Sequence, residues 1–255
     1  MLNIILAGCN GYMGRVVTDI VAAYPAVTII AGLDVNADKL SDYPVFATPD
    51  DIAPTTLIDS CDVIVDFSAP SAIDGLLKLS ISHKVPLVLC ATGYTTEQLD
   101  KIEETSKQVA LFRSGNMSIG INLLADLIKR ACEVLGEEFD IEIVERHHRR
   151  KVDAPSGTAL LLADAATSAL PHKPEYVYER ESKREPRSNH EIGISAVRGG
   201  TIVGVHDVIF AGQDEVIELR HTASSREVFA TGAIKAAKFM ANKKNGMYDM
   251  SDVLK

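Results

Sequence analysis

Leu2-Asn3-Ile4-Ile5-Leu6-Ala7-Gly8-Cys9-Asn10-Gly11-Tyr12-Met13-Gly14 joins an apolar run to a glycine-rich turn. Leu2 to Ala7 suits a parallel strand buried on both faces. Beyond the turn, apolar residues recur at helical spacing to about Ala23 (Met13, Val16, Val17, Ile20, Val21). Strand, glycine turn and helix in that order let backbone N–H groups approach a pyrophosphate at the helix start. Gly11 permits the close approach and Gly14 the packing of helix on strand. A second apolar strand, Val27 to Leu33, ends in Asp34, about 20 residues on, where a carboxylate is expected to meet a ribose hydroxyl. The turn departs from G-x-G-x-x-G, because Cys9 and Asn10 occupy its early positions. Asp34 is followed by Val35 and Asn36, not by arginine, so a 2′-phosphate would meet a carboxylate without a nearby guanidinium. NADH is therefore the expected cofactor in preference to NADPH, with Lys39 near enough in sequence to soften the preference.

The alternation continues through Val63–Phe67 (strand), Ser71–Ser82 (helix), Leu87–Leu89 (strand), Thr95–Lys107 (helix, capped by Thr95 or Thr96) and Val109–Phe112 (strand). This pattern predicts an α/β domain with a doubly wound, Rossmann-like parallel sheet. Ligands of such sheets lie beyond the carboxyl ends of the strands. Three of those ends are polar or small: Asp66-Phe67-Ser68, Cys90-Ala91-Thr92-Gly93 and Ser114-Gly115-Asn116-Met117. A long helical pattern then runs to about Leu135 and opens a second domain. Alternating Phe139, Ile141 and Ile143 mark a strand, Leu160–Leu170 a helix, and the Pro- and charge-rich 170–189 a long loop. His172 and His190, in or beside that loop, read as separate surface residues. Ile192–Arg198, Ile202–Phe210 and Val216–His221 follow as strands joined by short turns at Gly199-Gly200 and Gly212-Gln213-Asp214. Short turns imply antiparallel neighbours, so this half is expected to be α+β with a mostly antiparallel sheet serving substrate binding and oligomerisation. Its open edges favour burial against another subunit. The expected boundaries are 1–117, completed by 227–255, for the dinucleotide domain and 118–226 for the second.

Between the second domain's first strand and its helix lies Glu145-Arg-His-His-Arg-Arg-Lys-Val-Asp-Ala-Pro-Ser-Gly-Thr-Ala159, a cationic turn in a chain of net charge -9. Arg146, Arg149, Arg150 and Lys151 crowd His147 and His148. Ser156 is a candidate N-cap, and Gly157-Thr158 would present helix-start N–H groups to an anion. One turn thus offers imidazoles and an ammonium for proton transfer beside donors for a carboxylate or phosphate. A merely solvated basic turn is the plainer alternative. No second basic cluster or aromatic series extends the turn into a nucleic-acid surface. No metal is expected there, since adjacent histidines lack i,i+4 geometry and no cysteine stands at ligand spacing.

The run Glu-x-His-His-x-x-Lys-x-Asp-Ala-Pro-Ser-Gly-Thr-Ala at 145–159 resembles the signature of the 4-hydroxy-tetrahydrodipicolinate reductase (dihydrodipicolinate reductase) family, which serves the diaminopimelate route to lysine. The resemblance implies hydride transfer from NADH or NADPH to a cyclic unsaturated dicarboxylate. It makes His147 and Lys151 the acid–base pair, and His148, Gly157 and Thr158 the substrate ligands. For the cofactor it implies Gly8, Cys9, Asn10, Gly11, Tyr12, Met13 and Asp34, then Cys90, Ala91 and Thr92, then Ser114, Gly115, Asn116 and Met117. Cys90 and Ala91 stand where the family usually has Gly and Thr of a Gly-Thr-Thr-Gly segment, leaving backbone contacts from those positions. Arg198-x-Gly200-x-Ile202-x-Gly204-x-His206 also matches, except that Val205 replaces a common glutamate. The family further implies a homotetramer and a C-terminal tail, Gly246–Met250, returning to the nucleotide domain. Like-charge repulsion from Arg149 and Arg150 is expected to favour neutral imidazole and ease loss of the Lys151 proton.

Composition agrees with a globular enzyme: 255 residues, 46% apolar and 24% charged. No window reaches the roughly 18 apolar residues of a membrane span. Met1–Ile4 enters a strand directly, without a basic leader, and the four cysteines are scattered. Both features point to the cytoplasm. The acidic balance disfavours nucleic acid or an anionic membrane as partner. Two other readings remain: a different Rossmann-type dehydrogenase of a small carboxylate, and a regulator that senses the nucleotide without turnover.

Overall fold

The structure, a computed structural model, describes residues 1–37 and 42–255; Lys39 lies outside them. The chain divides into two compact units, Met1–Ser118 with Arg226–Lys255 and Ile119–Ser225.

Among the described residues, the first unit holds a seven-stranded sheet. Its strands are β1 (Leu2–Ala7), β2 (Val27–Leu33), β3 (Val45–Phe46), β4 (Val63–Asp66), β5 (Leu87–Leu89) and β6 (Ala110–Arg113), joined by a late strand, Gly246–Tyr248. Every pairing is parallel, as the near-continuous apolar runs require. β1 lies between β2 and β4; from it the chain winds outward to β3 on one side and to β6 and Gly246–Tyr248 on the other. The order therefore reverses at the β1/β4 boundary, and the crevice beyond these strand ends is where a ligand of such a sheet belongs. The tail strand pairs with β6, Met247 opposite Leu111. The helix Glu227–Met240 presents buried small residues (Ala230, Gly232, Ala233, Ala236, Ala237). Their size brings it so close that a Cβ on Gly232 would lie 1.7 Å from the Met117 carbonyl oxygen.

The second unit carries β7 (Asp140–His147), β8 (Glu175–Val177), β9 (Glu191–Arg198), β10 (Gly204–Ala211) and β11 (Val216–Ala223), in the order β11-β10-β7-β9-β8. The sheet is mixed, not mostly antiparallel. β10 pairs antiparallel with β7 and β11, whereas β9 pairs parallel with β7 and β8. The turn after β9 does not close a hairpin. It passes over the end of β7 and delivers β10 on the far side, a step of about 10 Å that a few extended residues can span. Short β8 falls inside the segment expected to be loop. Strict alternation along β7 sends Ile141, Ile143, Glu145 and His147 to the buried side, where Ile141 and Ile143 pack with Ile192, Ile194, Val208 and Phe210 and with the helices Ile119–Leu135 and Gly157–Ala169. Among the described residues, no helix is long and apolar enough to cross a membrane.

Candidate active site

In the first unit the glycine turn is shaped by contact. Gly8 sits at φ +73°, and a Cβ there would lie 2.6 Å from the Phe67 carbonyl carbon. A Cβ on Gly14 would lie 2.2 Å from the Gly8 carbonyl oxygen, so helix Tyr12–Ala22 packs directly on the turn. Gly11 is the N-cap and supplies no side-chain hydrogen bond, leaving the first N–H groups of this helix to an anion. Asp34 braces the turn: Oδ2 accepts the Asn10 backbone N–H at 2.9 Å, and Oδ1 accepts that of Asn36 at 3.0 Å.

Two cavities open on the switch point. One of about 400 Å³ is walled by Gly8, Gly11, Asp34, Val35, Pro49 and Ala69 among others. The other, about 210 Å³, is lined by Met13, Phe67, Cys90, Thr92, Ser114–Met117 and Phe229. Phe67 borders both. The sequence-derived residues therefore separate. Gly8, Gly11 and Asp34 line the first cavity, while Met13, Cys90, Thr92, Ser114, Gly115, Asn116 and Met117 line the second. Cys9, Asn10, Tyr12 and Ala91 line neither. The Cys9 side chain is buried against Gly32, whose missing Cβ would come within 2.6 Å of Sγ. The Asn10 amide donates to the Asn36 carbonyl, and the Tyr12 ring lies exposed under the Arg226 guanidinium. Val35, Pro49, Ala69 and Phe229 carried no motif and were not anticipated.

Below these cavities Asp66 is buried, which raises its carboxyl pKa; the Ser68 hydroxyl and N–H and the Tyr94 hydroxyl partly oppose the rise. Burial, with Asp66 beside it, pushes the Cys90 thiol far up. Cys90 is therefore an inert neutral wall, not a nucleophile.

In the second unit the site is built around Glu145, fully buried at the end of β7. Its Oε2 lies 2.7 Å from His147 Nδ1. Arg198 donates one guanidinium nitrogen to each oxygen, both at 2.7 Å, and the Ser156 N–H donates to Oε1 at 2.9 Å. Burial works against the Glu145 charge, but Arg198, His147 and Ser156 outweigh it and hold the carboxyl below its ordinary range. Arg198 also donates to the Asp153 carbonyl at 2.6 Å, which ties β9 to the turn. Ser156 caps the helix as expected, its Oγ accepting the Ala159 N–H at 3.1 Å. That same oxygen lies 3.1 Å from His206 Nε2. The His147 and His206 rings stand edge to face at 5.1 Å. Burial, then the neighbouring His147, lowers the His206 pKa to about 4.

Burial also lowers the His147 pKa; Glu145 opposes the shift, and Lys151 and Arg198 add to it. Imidazole neutrality thus comes from burial first, not from Arg149 and Arg150, which are exposed. Arg146 does not share the site. It lies on the opposite face of β7 and pairs with Asp207 at 2.7 Å, where Asp207 also meets Arg220. Lys151 Nζ is 2.8 Å from Asp153. His148 Nδ1 is shielded and makes no hydrogen bond. Gly157 and Thr158 start the helix, and the Cβ direction of Gly157 is open. The turn at Gly199-Gly200 crosses here, its N–H donating to the His147 carbonyl while Gly200 accepts from Arg149. Arg198 and His206 belonged to a recognised run but had been given no role. The order reversal between β9 and β10 is what delivers them.

Two family patterns match the chain: "Dihydrodipicolinate reductase, N-terminus" over residues 2–117 and "Dihydrodipicolinate reductase, C-terminus" over 120–254. A 4-hydroxy-tetrahydrodipicolinate reductase of Caldanaerobacter subterraneus subsp. tengcongensis is 51% identical over 255 residues, covering 100% of this chain and 99% of that protein. One from Clostridium tetani is 51% identical over 254 residues, covering 100% and 97%. Among solved structures, a dipicolinate-bound dihydrodipicolinate reductase from Paenisporosarcina sp. TG-14 superposes with a TM-score of 0.80 at 25% identity, over 99% of both chains. A probable dehydrogenase from Thermotoga maritima shares the fold alone, with a TM-score of 0.63 at 14% identity.

Proposed function

The chain belongs to the dihydrodipicolinate reductase family, and from that membership we propose how its residues divide the nicotinamide-dependent reduction of 4-hydroxy-tetrahydrodipicolinate in lysine biosynthesis. The alternative dehydrogenase and the nucleotide sensor fall away with it. The first unit fits a dinucleotide: the turn at Gly8 and Gly14 has no room for side chains, and an uncapped helix start faces two cavities. Gly8 and Gly11 take the pyrophosphate through backbone N–H groups. Asp34 receives the ribose hydroxyls, using lone pairs left beyond the Asn10 and Asn36 bonds. Met13, Phe67, Thr92 and Ser114–Met117 enclose the nicotinamide half, with Cys90 as an apolar wall. When bound, the reduced nicotinamide supplies the hydride.

The second unit holds the dicarboxylate. Gly157 and Thr158 N–H groups at the helix start receive one carboxylate, and His148 donates to the substrate from its ring. His147 and Lys151 handle the proton. The observation that carries this reading is the Glu145–His147 contact at 2.7 Å within a carboxylate already neutralised by Arg198. Glu145 accepts the Nδ1 proton, which fixes the tautomer and leaves Nε2 as the atom that moves a proton. Gly204 keeps that edge clear, since a Cβ there would stand 3.2 Å from Nε2. Arg198 and Ser156 hold Glu145, and His206 meets Ser156 and the His147 ring, so these three serve as positioning residues.

The test is loss of NADH absorbance when the chain meets the condensation product of pyruvate and aspartate semialdehyde. Turnover by the wild type and a loss of about 10²–10⁴ in His147→Gln are expected. Full turnover in that variant would remove His147 from the chemistry. Three finer readings accompany the assignment: NADH over NADPH, because Asp34 stands at the ribose cavity; a cytoplasmic setting; and a homotetramer. Support for the last is the open face of the second sheet, where Val144, Val197, Val205, Ile209 and Val216 lie together by register and Val197 and Val216 are exposed. Light scattering behind size exclusion is expected to give four copies.

A further inference from the structure

Outside this site the second unit brings together three side chains from distant parts of the sequence. Glu137 sits in the short turn after helix Ile119–Leu135, His172 just past helix Gly157–Ala169, and His190 directly before β9. One donor atom from each lies within 4.8 Å of the other two. The histidines, which read as separate surface residues in the sequence, stand ring to ring at 4.3 Å and nearly perpendicular. His172 Nδ1 is 2.7 Å from a Glu137 carboxylate oxygen. The contact is short but not aligned as a hydrogen bond: both His172 nitrogens are shielded from solvent and neither has a hydrogen-bond partner. Shielded imidazole nitrogens without a hydrogen bond are uncommon in folded proteins, and a bound cation would satisfy them. Glu191, the nearby acid that could compete, is already committed to Arg180. A cavity of about 10 Å³ adjoins Glu137 and His172, which is room for about one water molecule or ion.

We infer that Glu137, His172 and His190 form a site for a divalent transition-metal ion that fastens the segment between His172 and His190 to the body of the second unit. Two imidazoles and one carboxylate are a borderline donor set suited to zinc, cobalt or nickel and poor for calcium or magnesium. Tetrahedral zinc places its ligand atoms about 3.3 Å apart. The present spread closes by side-chain rotation of Glu137 and His190, both at the surface, with water completing the shell. The role is structural: the ligands anchor three chain segments and none belongs to the proton-transfer set.

The test uses tag-free, chelator-stripped full-length protein titrated with Zn²⁺ by calorimetry and with Co²⁺ by visible absorption. One ion per chain with tetrahedral Co²⁺ bands, and a rise in Tm, are expected. His172→Gln and His190→Gln should each weaken binding by about tenfold or more, by analogy with the 10–100-fold cost of losing even an outer-shell partner, with reductase turnover unchanged. Should His172→Gln fail to fold, the exposed His190→Gln carries the same comparison. Equal affinity in wild type and variants would overturn the site. So would loss of binding in His147→Gln or His148→Gln alone, which places the ion at the proton-transfer residues.

Discussion

Replacing Glu145 by glutamine keeps the shape of the side chain at the centre of the second unit's site and deletes its charge. Three things follow from the contacts it makes. Arg198 loses the carboxylate that binds both of its terminal nitrogens, and a buried pair broken on one side costs about 3–5 kcal/mol. For a chain of this size that is a fall of about 10 °C in Tm. His147 loses the group that raised its pKa, while burial, Lys151 and Arg198 continue to lower it. Its protonated fraction at neutral pH therefore drops, and the alkaline limb of the pH–rate profile, where the proton donor is lost, moves to lower pH. Finally, an amide NH₂ turned toward Nδ1 would hold that nitrogen unprotonated, so the ring could not carry the second proton that it hands on from Nε2. Loss of a correctly poised proton carrier removes about 10²–10⁴ in kcat, with NADH affinity unchanged because the cofactor residues lie in the other unit. Stopped-flow NADH oxidation across pH, beside thermal melts, reads both effects. A variant that melts early but keeps wild-type kcat and pH profile would make Glu145 a structural residue and refute the reasoning.

Lys151→Ala is expected to lower kcat by about 10²–10⁴ while NADH binding, followed by fluorescence titration, stays put. Asp34→Ser removes a charge from the ribose cavity. Two unit charges about 5 Å apart repel by about 3 kcal/mol at an effective dielectric near 20 and about 1 kcal/mol in water. At this half-exposed position the KM ratio of NADPH to NADH should therefore fall about tenfold, and an unchanged ratio would detach Asp34 from cofactor choice. His206 has a folded pKa of about 4 against about 6.5 unfolded. Only the unfolded chain binds its proton between those values, so stability is full above about pH 6.5 and declines as pH falls, by about 3 kcal/mol in all by pH 4. Urea melts over that range should show the decline in the wild type and a flatter line in His206→Gln, which retains a donor for Ser156.

The first unit was legible because its signals are local. The run Leu2–Ala7, the glycines at 8, 11 and 14, and Asp34 sit within one βαβ crossover whose handedness admits few arrangements. Even there the side chains of the turn divide between neighbours and open space. Position in a loop does not say which way a side chain points, and Cys9 turns inward on Gly32 while Asn10 spends its amide on Asn36. The apolar wall of Val35, Pro49 and Ala69, and Phe229 from helix Glu227–Met240, carried no pattern by which to be found.

The second unit hides its chemistry in sheet order. Glu145, His147 and Ser156 lie within one readable stretch, yet Arg198 reaches Glu145 only because β9 pairs parallel to β7. His206 reaches Ser156 only because β10 pairs on the other side of the same strand. A hairpin between β9 and β10, which the short glycine turn suggested, would have set these strands side by side and denied β7 its place between them. The cations nearest the histidines in sequence show the same effect. Arg146, next to His147, faces the opposite side by the two-residue period of a strand, while Arg198, 53 residues from Glu145, makes the decisive bond. Charge in a motif is thus a poor guide to charge in a site whenever the motif lies on a strand. Register selects which residues meet, and in this unit only the paired strands reveal it.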